Sequence, residues 1–301
     1  MNSLGVCLSK YNVVSLIGMS KNAGKTTVLN HLLTYYKTSN LAVALTSIGR
    51  DGEDVDVVTG TKKPRIYVQR GSIIATAEAL LGLSDVTAEI LGVTDFNTPM
   101  GRIIIVRALS AGFVQIGGAS ISCHMSELLN ILKSYSIDKV LIDGAINRKS
   151  ISSPLLAEAV VLCSGAGLSS DMGEAIHRTK FTAGMLMLPE AMPEANHIAV
   201  SGALTDSKLE SLLCSGEKID GTQIVCDDPS KILINQEAYD KLPARGGTLA
   251  VKNPANLAAI TVNPVSARGF SFPKDEFLQR MAEAVRVPVF DVMNPTPSRS
   301  S

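Results

Sequence analysis

The sequence predicts an α/β fold in which a mainly parallel sheet is flanked by helices, with a smaller C-terminal α/β region. Residues 12–18 form a short apolar run, an amphipathic stretch follows it, and residues 41–47 form a second apolar run. A strand, a helix and a strand in this order indicate a right-handed crossover between parallel strands. The composition agrees, because 46% of the 301 residues are hydrophobic, 19% are charged and 24 are glycine, which is typical of a well-filled globular protein.

The stretch from residue 18 to residue 27 carries the strongest functional motif of the chain. Gly24 lets the backbone approach phosphate oxygens without a Cβ, and the helix that follows directs its free N–H groups and the positive end of its dipole at an anion. Lys25 adds a positive charge at the β- and γ-phosphates, and the Thr26 hydroxyl suits Mg²⁺. Strand, loop and helix together predict a P-loop NTPase domain over residues 1–195. The predicted nucleotide-binding residues are Lys21, Asn22, Ala23, Gly24, Lys25, Thr26 and Thr27.

This motif departs from the usual pattern at one position. The pattern has a glycine five residues before Gly24, where this chain has Met19, and the nearest glycine is Gly18. Methionine is compatible with a strand end, because the position shapes the turn and does not touch the nucleotide through its side chain. The alternative is a chance Gly-Lys-Thr at a helix start, but the apolar strand before it and the amphipathic helix after it favour a nucleotide site.

An acidic turn follows the second predicted strand. Ligands of parallel α/β sheets bind beyond the carboxyl ends of the strands, and Asp51 lies there, between two glycines that let the chain bend back. The functional interpretation is a carboxylate that binds Mg²⁺, directly or through water, or that orients the attacking group. The alternative is a solvated turn, and Asp54 and Asp56 are better explained as surface charge.

A second carboxylate ends the apolar run that begins at residue 139. Asp143 follows this run and Gly144 comes next, which resembles the second motif of nucleotide sites, where a carboxylate at a strand end reaches Mg²⁺ or its water shell. The alternative is a helix cap or a turn residue. The predicted catalytic residues are Lys25, Asp51 and Asp143, and the predicted metal ligands are Thr26, Asp51 and Asp143.

Further elements follow by periodicity. Strands are predicted at residues 65–68, 102–107, 112–117 and 159–163, and helices at residues 72–81, 126–134 and 171–180. Residues 188–196 are proline-rich and acidic, as expected of a linker. Beyond them we predict strands at residues 197–200, 223–226, 248–251, 258–262 and 288–292, and helices at residues 206–213 and 274–285. Residues 196–293 form either a second domain or a continuation of the first, and residues 294–301 are predicted to be a flexible tail.

Composition excludes several classes of protein. Formal net charge is zero, so no basic surface for nucleic acid is expected. Apolar runs are far shorter than the roughly 20 residues that span a bilayer, and no signal peptide is visible, so we expect a cytoplasmic protein. The five cysteines are scattered without CxxC spacing, which favours reduced thiols.

These residues predict a Mg²⁺-dependent nucleotide hydrolase or transferase that neutralises charge on the β- and γ-phosphates. No Asn-Lys-x-Asp signature is found at the position where a guanine-specific site has it, which favours ATP over GTP. The sequence leaves open whether ATP is hydrolysed or only bound, and whether the chain forms a homo-oligomer.

Three stretches together resemble a known family. Residues 18–27, 46–53 and 141–150 are similar to the P-loop subunits of the factors that reactivate lysine 5,6-aminomutase, an adenosylcobalamin enzyme of lysine fermentation, and residues 58–64 and 98–102 fit the same family. The similarity extends over roughly residues 10–180. The first stretch is shared with many P-loop proteins, whereas the second and third are more particular.

The resemblance implies an ATPase subunit of a reactivase with a chaperone-like role. Such a factor uses ATP to open the mutase and release inactive cobalamin, so that fresh cofactor can enter. The implied partners are a second, non-identical reactivase subunit and the mutase. ATP would then move the loops after Asp51 and Asp143, as γ-phosphate switches do.

Two rival functions share the same core. One is an ATP-dependent small-molecule ligase or kinase of the dethiobiotin-synthetase type, which would turn over without a protein partner. The other is a nucleotide-driven metal or cofactor chaperone, which normally has a cluster of histidines and cysteines that this sequence lacks.

Overall fold

A nine-stranded, mostly parallel sheet flanked by helices dominates the fold. The computed structural model describes residues 3–48, 65–119, 122–145, 156–215 and 219–291. In order across this large sheet, the strands are β16 (Val289–Asp291), β15 (Leu257–Asn263), β9 (Ala159–Gly165), β1 (Val13–Gly18), β8 (Lys139–Ala145), β2 (Val43–Ser47), β4 (Ile73–Ala77), β6 (Gly101–Ala108) and β5 (Ala88–Thr98). The seven strands from β16 to β4 are parallel, and β6 and β5 add antiparallel pairs at one end. The predicted α/β class with a mainly parallel, helix-flanked sheet is therefore confirmed.

The elements of the N-terminal half begin with α1 (Leu4–Leu8), β1 (Val13–Gly18), α2 (Lys25–Thr38) and β2 (Val43–Ser47). Next come β3 (Ile66–Val68), β4 (Ile73–Ala77), α3 (Glu78–Leu81), β5 (Ala88–Thr98), β6 (Gly101–Ala108) and β7 (Gly112–Val114). They are followed by α4 (Ser122–Lys133) and β8 (Lys139–Ala145).

The C-terminal half begins with β9 (Ala159–Gly165), α5 (Met172–Leu186), β10 (Asn196–Ala199), β11 (Leu204–Thr205), α6 (Asp206–Cys214) and β12 (Thr222–Cys226). It continues with β13 (Ile232–Leu233), α7 (Gln236–Asp240), β14 (Thr248–Val251), β15 (Leu257–Asn263), α8 (Lys274–Ala284) and β16 (Val289–Asp291). Short 3₁₀ helices span Pro229–Lys231 and Pro243–Arg245.

Two apolar cores lie on the two faces of the large sheet. One core joins α1 and α2 to alternate residues of the central strands, such as Leu16, Leu45 and Leu141; we call this side of the sheet the α2 face. The opposite core joins α4, α5 and α8 to the intervening residues, such as Ile17 and Ile142. Every residue of β1, β2 and β9 is buried, which explains why parallel central strands read as continuous apolar runs.

A small sheet lies within the predicted second region. Strands β10, β12 and β14 pair in parallel, and β11 pairs with β13 beside them. They share a third apolar core with α6 and α7. The last strands, β15 and β16, instead add to the large sheet beside β9. The described strands of residues 196–293 thus divide among the large sheet, this three-stranded sheet and the β11–β13 pair.

The structure of the first region differs from the prediction at two elements. Residues 72–81 form β4 and the short α3 instead of one helix, because all five residues of β4 are buried between β2 and β6. An 11-residue strand, β5, occupies residues for which no element was predicted. The predicted tail at 294–301 lies outside the described residues.

No helix in the described ranges is both long and apolar enough to span a membrane.

Candidate functional site

The loop between β1 and α2 has the backbone of a tight anion cradle. Its N-cap, Gly24, has a φ of 86°, and Asn22 has a φ of 60°. Left-handed residues beside helical ones turn successive N–H groups toward one concavity. Helix α2 begins at Lys25 behind a glycine that offers no capping side chain, so the first-turn N–H groups face the loop. This geometry suits a phosphate.

Neighbouring strand ends hold the loop in place. At the carboxyl edge of the large sheet, where the parallel strands end, Asn263 of β15 donates a hydrogen bond from Nδ2 to the Asn22 carbonyl oxygen over 2.9 Å. The Met19 N–H donates to the Cys163 carbonyl oxygen over 2.9 Å. Gly167 passes so close that a Cβ there would lie 2.8 Å from the Ser20 hydroxyl oxygen. The strands beside β1 therefore fix the loop from one side.

Lys25 and Asp143 form an ion pair at the mouth of this loop. Lys25 Nζ lies 3.0 Å from Asp143 Oδ1, and the two side chains are only 16% and 7% exposed. Sheet register explains the contact, because β8 lies between β1 and β2 and Asp143 aligns with both Leu16 and Ser47. The Ile48 N–H donates to the Asp143 carbonyl oxygen over 3.0 Å, which fixes the end of β8 to the end of β2.

The predicted site residues therefore fall into two groups. Lys25, Thr26 and Asp143 lie in described elements, and the structure brings Lys25 and Asp143 into contact. Asp51, the third predicted catalytic residue and a predicted metal ligand, lies outside the described residues, as do Asp54 and Asp56.

The side chains of the predicted nucleotide-binding stretch have different environments. Lys21 is exposed, Asn22, Gly24, Lys25, Thr26 and Thr27 are half-buried, and Ala23 is buried. Ala23 packs into the core on the α2 face. It shapes the loop through its small size, and its side chain cannot contact a ligand.

Cys163 borders the site, and its burial disfavours the thiolate form. Burial raises the pKa of its thiol to about 12, against a lowering contribution from Lys25. Since the thiolate is the reactive form of cysteine, this thiol has no role as a nucleophile. All five cysteines of the chain are free.

The oxygen groups at the carboxyl edge suit a hard cation. The Asp143 carboxylate and the Thr26 hydroxyl are donors that Mg²⁺ prefers. Ser47 adds a fully buried hydroxyl for which the described residues provide no hydrogen-bond partner. The oxygen groups of Asp143 and Thr26 therefore fit Mg²⁺. No cluster of three or more histidine, cysteine, aspartate or glutamate side chains is found among the residues that the structure describes.

Sequence reasoning missed two of these residues, Asn263 and Ser47. Asn263 is the last residue of β15, and the apolar residues before it were its only signal in the sequence. Ser47 ends a predicted strand but carries no motif of its own.

Comparison of the chain with protein-family models gave no match, and a search of curated proteins gave none either.

Proposed function

We propose that this chain binds Mg²⁺–ATP in the loop between β1 and α2 and acts as the ATPase subunit of a factor that releases inactive cobalamin from lysine 5,6-aminomutase. The nucleotide part rests on one observation: the ion pair between the half-buried Lys25 and the buried Asp143, at 3.0 Å, stands at the start of α2. The reactivase part rests on the resemblance of residues 18–27, 46–53 and 141–150 to that family. The fold is compatible with both.

The loop supplies the groups that a triphosphate needs. The first-turn N–H groups of α2 and the ammonium of Lys25 would hold the β- and γ-phosphate oxygens. Thr26 and Asp143 would hold Mg²⁺, with Asp51 completing the predicted set. Bound there, the ion would offset the charge that develops as the γ-phosphate leaves.

The ion pair implies an exchange of partners. Lys25 pairs with the buried Asp143 carboxylate at 3.0 Å, and removal of one member of such a pair is costly. With a nucleotide bound, Lys25 would contact phosphate oxygens and the Asp143 carboxylate would be available to hold the metal ion.

Nucleotide affinity of Lys25→Ala is the first test. Loss of a charge-assisted contact predicts roughly 10- to 100-fold weaker ATP binding, measured by isothermal titration. Lys241→Ala is the matched control, because Lys241 pairs with Glu210 at 2.6 Å on the exposed surface and its loss should leave affinity unchanged. Full ATP affinity in Lys25→Ala would refute the site.

Stability needs its own control here. Lys25→Ala leaves Asp143 buried without this partner, which destabilises the fold. The double variant Lys25→Ala/Asp143→Asn removes both charges, so it should remain folded, as circular dichroism can verify, and still bind ATP weakly.

The reactivase part is tested by function. ATPase rate is measured with the chain alone, and then with the second reactivase subunit and inactivated mutase, while recovered mutase activity is followed. Stimulated hydrolysis with restored mutase activity, lost in Lys25→Ala, would support the reactivase. Turnover on a small metabolite without any response to the mutase would replace it with a ligase or kinase.

A further inference from the structure

The hydroxyl of Ser47 is a buried polar group without a partner. Its residue is completely buried at the end of β2, and the described residues offer Oγ no hydrogen bond. Buried polar atoms are nearly always hydrogen-bonded, and an exception calls for an explanation such as a missing ion or ligand. The strand itself does not require a hydroxyl there, because the other side chains of β2 on this face, Val43 and Leu45, are apolar.

The pairing of β2 with β8 places Ser47 next to a residue of the candidate metal site. Side chains alternate along a strand, so Ser47 lies on the same face of the sheet as Val43 and Leu45, which is the α2 face. Ser47 aligns with Asp143 on the neighbouring strand, and adjacent strands are only about 4.8 Å apart. Ser47 and Asp143 are therefore neighbouring residues on this face of the sheet.

The backbone of Ser47 cannot move away from this position. A Cβ on Gly118 would overlap the Ser47 carbonyl oxygen, so the two backbones touch. On the other side, the Ile48 N–H is bonded to the Asp143 carbonyl oxygen at 3.0 Å. These contacts hold the backbone of Ser47 in place at the end of β2.

We propose that Ser47 is a positioning residue for the metal ion of the bound nucleotide. Its hydroxyl accepts a hydrogen bond from a water molecule bound to the ion that Thr26 and Asp143 hold. Mg²⁺ keeps several of its water ligands in such sites, and groups that orient metal ligands contribute strongly to metal affinity. The inference rests on the proposed nucleotide site and adds a residue that no motif identifies.

The test measures ADP affinity by titration calorimetry, once with Mg²⁺ and once with EDTA, so that no turnover is involved. Ser47→Ala should reduce the gain in affinity that Mg²⁺ provides by roughly 10-fold. Its affinity in EDTA should equal that of the wild type.

Ser15→Ala is the matched control. Ser15 is also fully buried, and its hydroxyl likewise has no partner among the described residues. It aligns with Ile142 and Val160, whose side chains belong to the opposite core, so this change should leave both affinities unaltered. An undiminished Mg²⁺ effect in Ser47→Ala would overturn the role of Ser47 while the nucleotide site stands. A wild-type chain that binds no nucleotide would overturn both.

Discussion

Burial of a single residue, His31, changes the pKa of its imidazole. It lies half-buried on α2, and its Nε2 atom is buried with no hydrogen-bond partner among the described residues. Burial lowers the pKa of His31 below its ordinary value of about 6.5. The imidazole is therefore neutral in the folded chain at a pH where the unfolded chain already binds a proton.

This shift predicts an acid-sensitive contribution to stability. Below about pH 6.5 the unfolded state binds more protons than the folded state, so the free energy of unfolding falls as the pH falls, until it levels off below the folded pKa. His31→Gln removes that titration. Urea unfolding between about pH 7.5 and about pH 5.5 should show a smaller loss of stability in the variant than in the wild type.

The control for His31 is His177→Gln, because His177 is exposed on α5. Equal slopes for His31→Gln and the wild type would show that the buried imidazole does not govern acid stability.

Local and non-local residues of the candidate site differ in how far sequence predicts them. Lys25 and Asp143 each follow an apolar strand in a recognisable short motif, so the sequence identifies them without any knowledge of strand order. Asn263 matters because it lies at the end of β15 and bonds to Asn22. Ser47 matters because the pairing of β2 with β8 aligns it with Asp143. Such proximity depends on pairing between strands distant in sequence, which no local pattern encodes.

Among the elements of the large sheet, the end of β2 is held by close contact with the segment that follows β7. Gly118 lies against the backbone of Ser47, and no Cβ fits between them. Further along, the Ala77 N–H donates to the Gly117 carbonyl oxygen over 2.8 Å. The segment after β7 thus crosses the ends of β2 and β4 and sets where Ser47 lies relative to Asp143.

Gly118→Ala should therefore destabilise the fold and weaken nucleotide binding. Overpacking of this kind is expected to reduce the free energy of unfolding by about 1–3 kcal/mol, since a backbone atom must move. Gly184→Ala is the contrast, because Gly184 is exposed on α5 with nothing near its missing Cβ. It should stabilise the chain by up to about 0.5–1 kcal/mol. Chemical denaturation measures both changes, and equal stability of the two variants would contradict the contact.

Element type was hardest to predict where tertiary pairing overrides local preference. Residues 72–81 contain several alanines and leucines, which favour helix, yet the first half is a strand because β2 and β6 enclose it. Strand β5 contains Gly92, Asp95 and Asn97, which are poor strand formers. Its pairing with β6 shifts register twice, so no regular alternation marks it in the sequence.

The chain path explains the relation between the two sheets at the scale of the whole molecule. The Val251 N–H donates to the Pro189 carbonyl oxygen over 3.0 Å, and the Ala191 N–H donates to the Val251 carbonyl oxygen over 2.8 Å. The small sheet therefore leaves and rejoins the rest of the chain at neighbouring points. Its apolar core is distinct from the two cores of the large sheet, whereas β15 and β16 complete the large sheet.

Two deletions should consequently have opposite effects. Removing residues 257–301 uncovers the edge of β9 and removes Asn263, so the large sheet should unfold and nucleotide binding should be lost. Replacing residues 192–250 with a short glycine-serine linker removes the small sheet instead. Because residues 191 and 251 already lie within hydrogen-bonding distance, such a linker spans the gap without strain.

The excised chain should keep a cooperative urea transition with a smaller m-value, since m scales with the surface exposed on unfolding. Some loss of stability is expected, because Phe181 on α5 loses its edge-to-face contact with Tyr239 at 5.9 Å. ATP affinity should persist, because α2 with Lys25 and the large sheet with Asp143 and Asn263 all remain. A folded 1–256 fragment would show that the large sheet does not require its last two strands. An excised chain that fails to fold would show that the large sheet does require the small one.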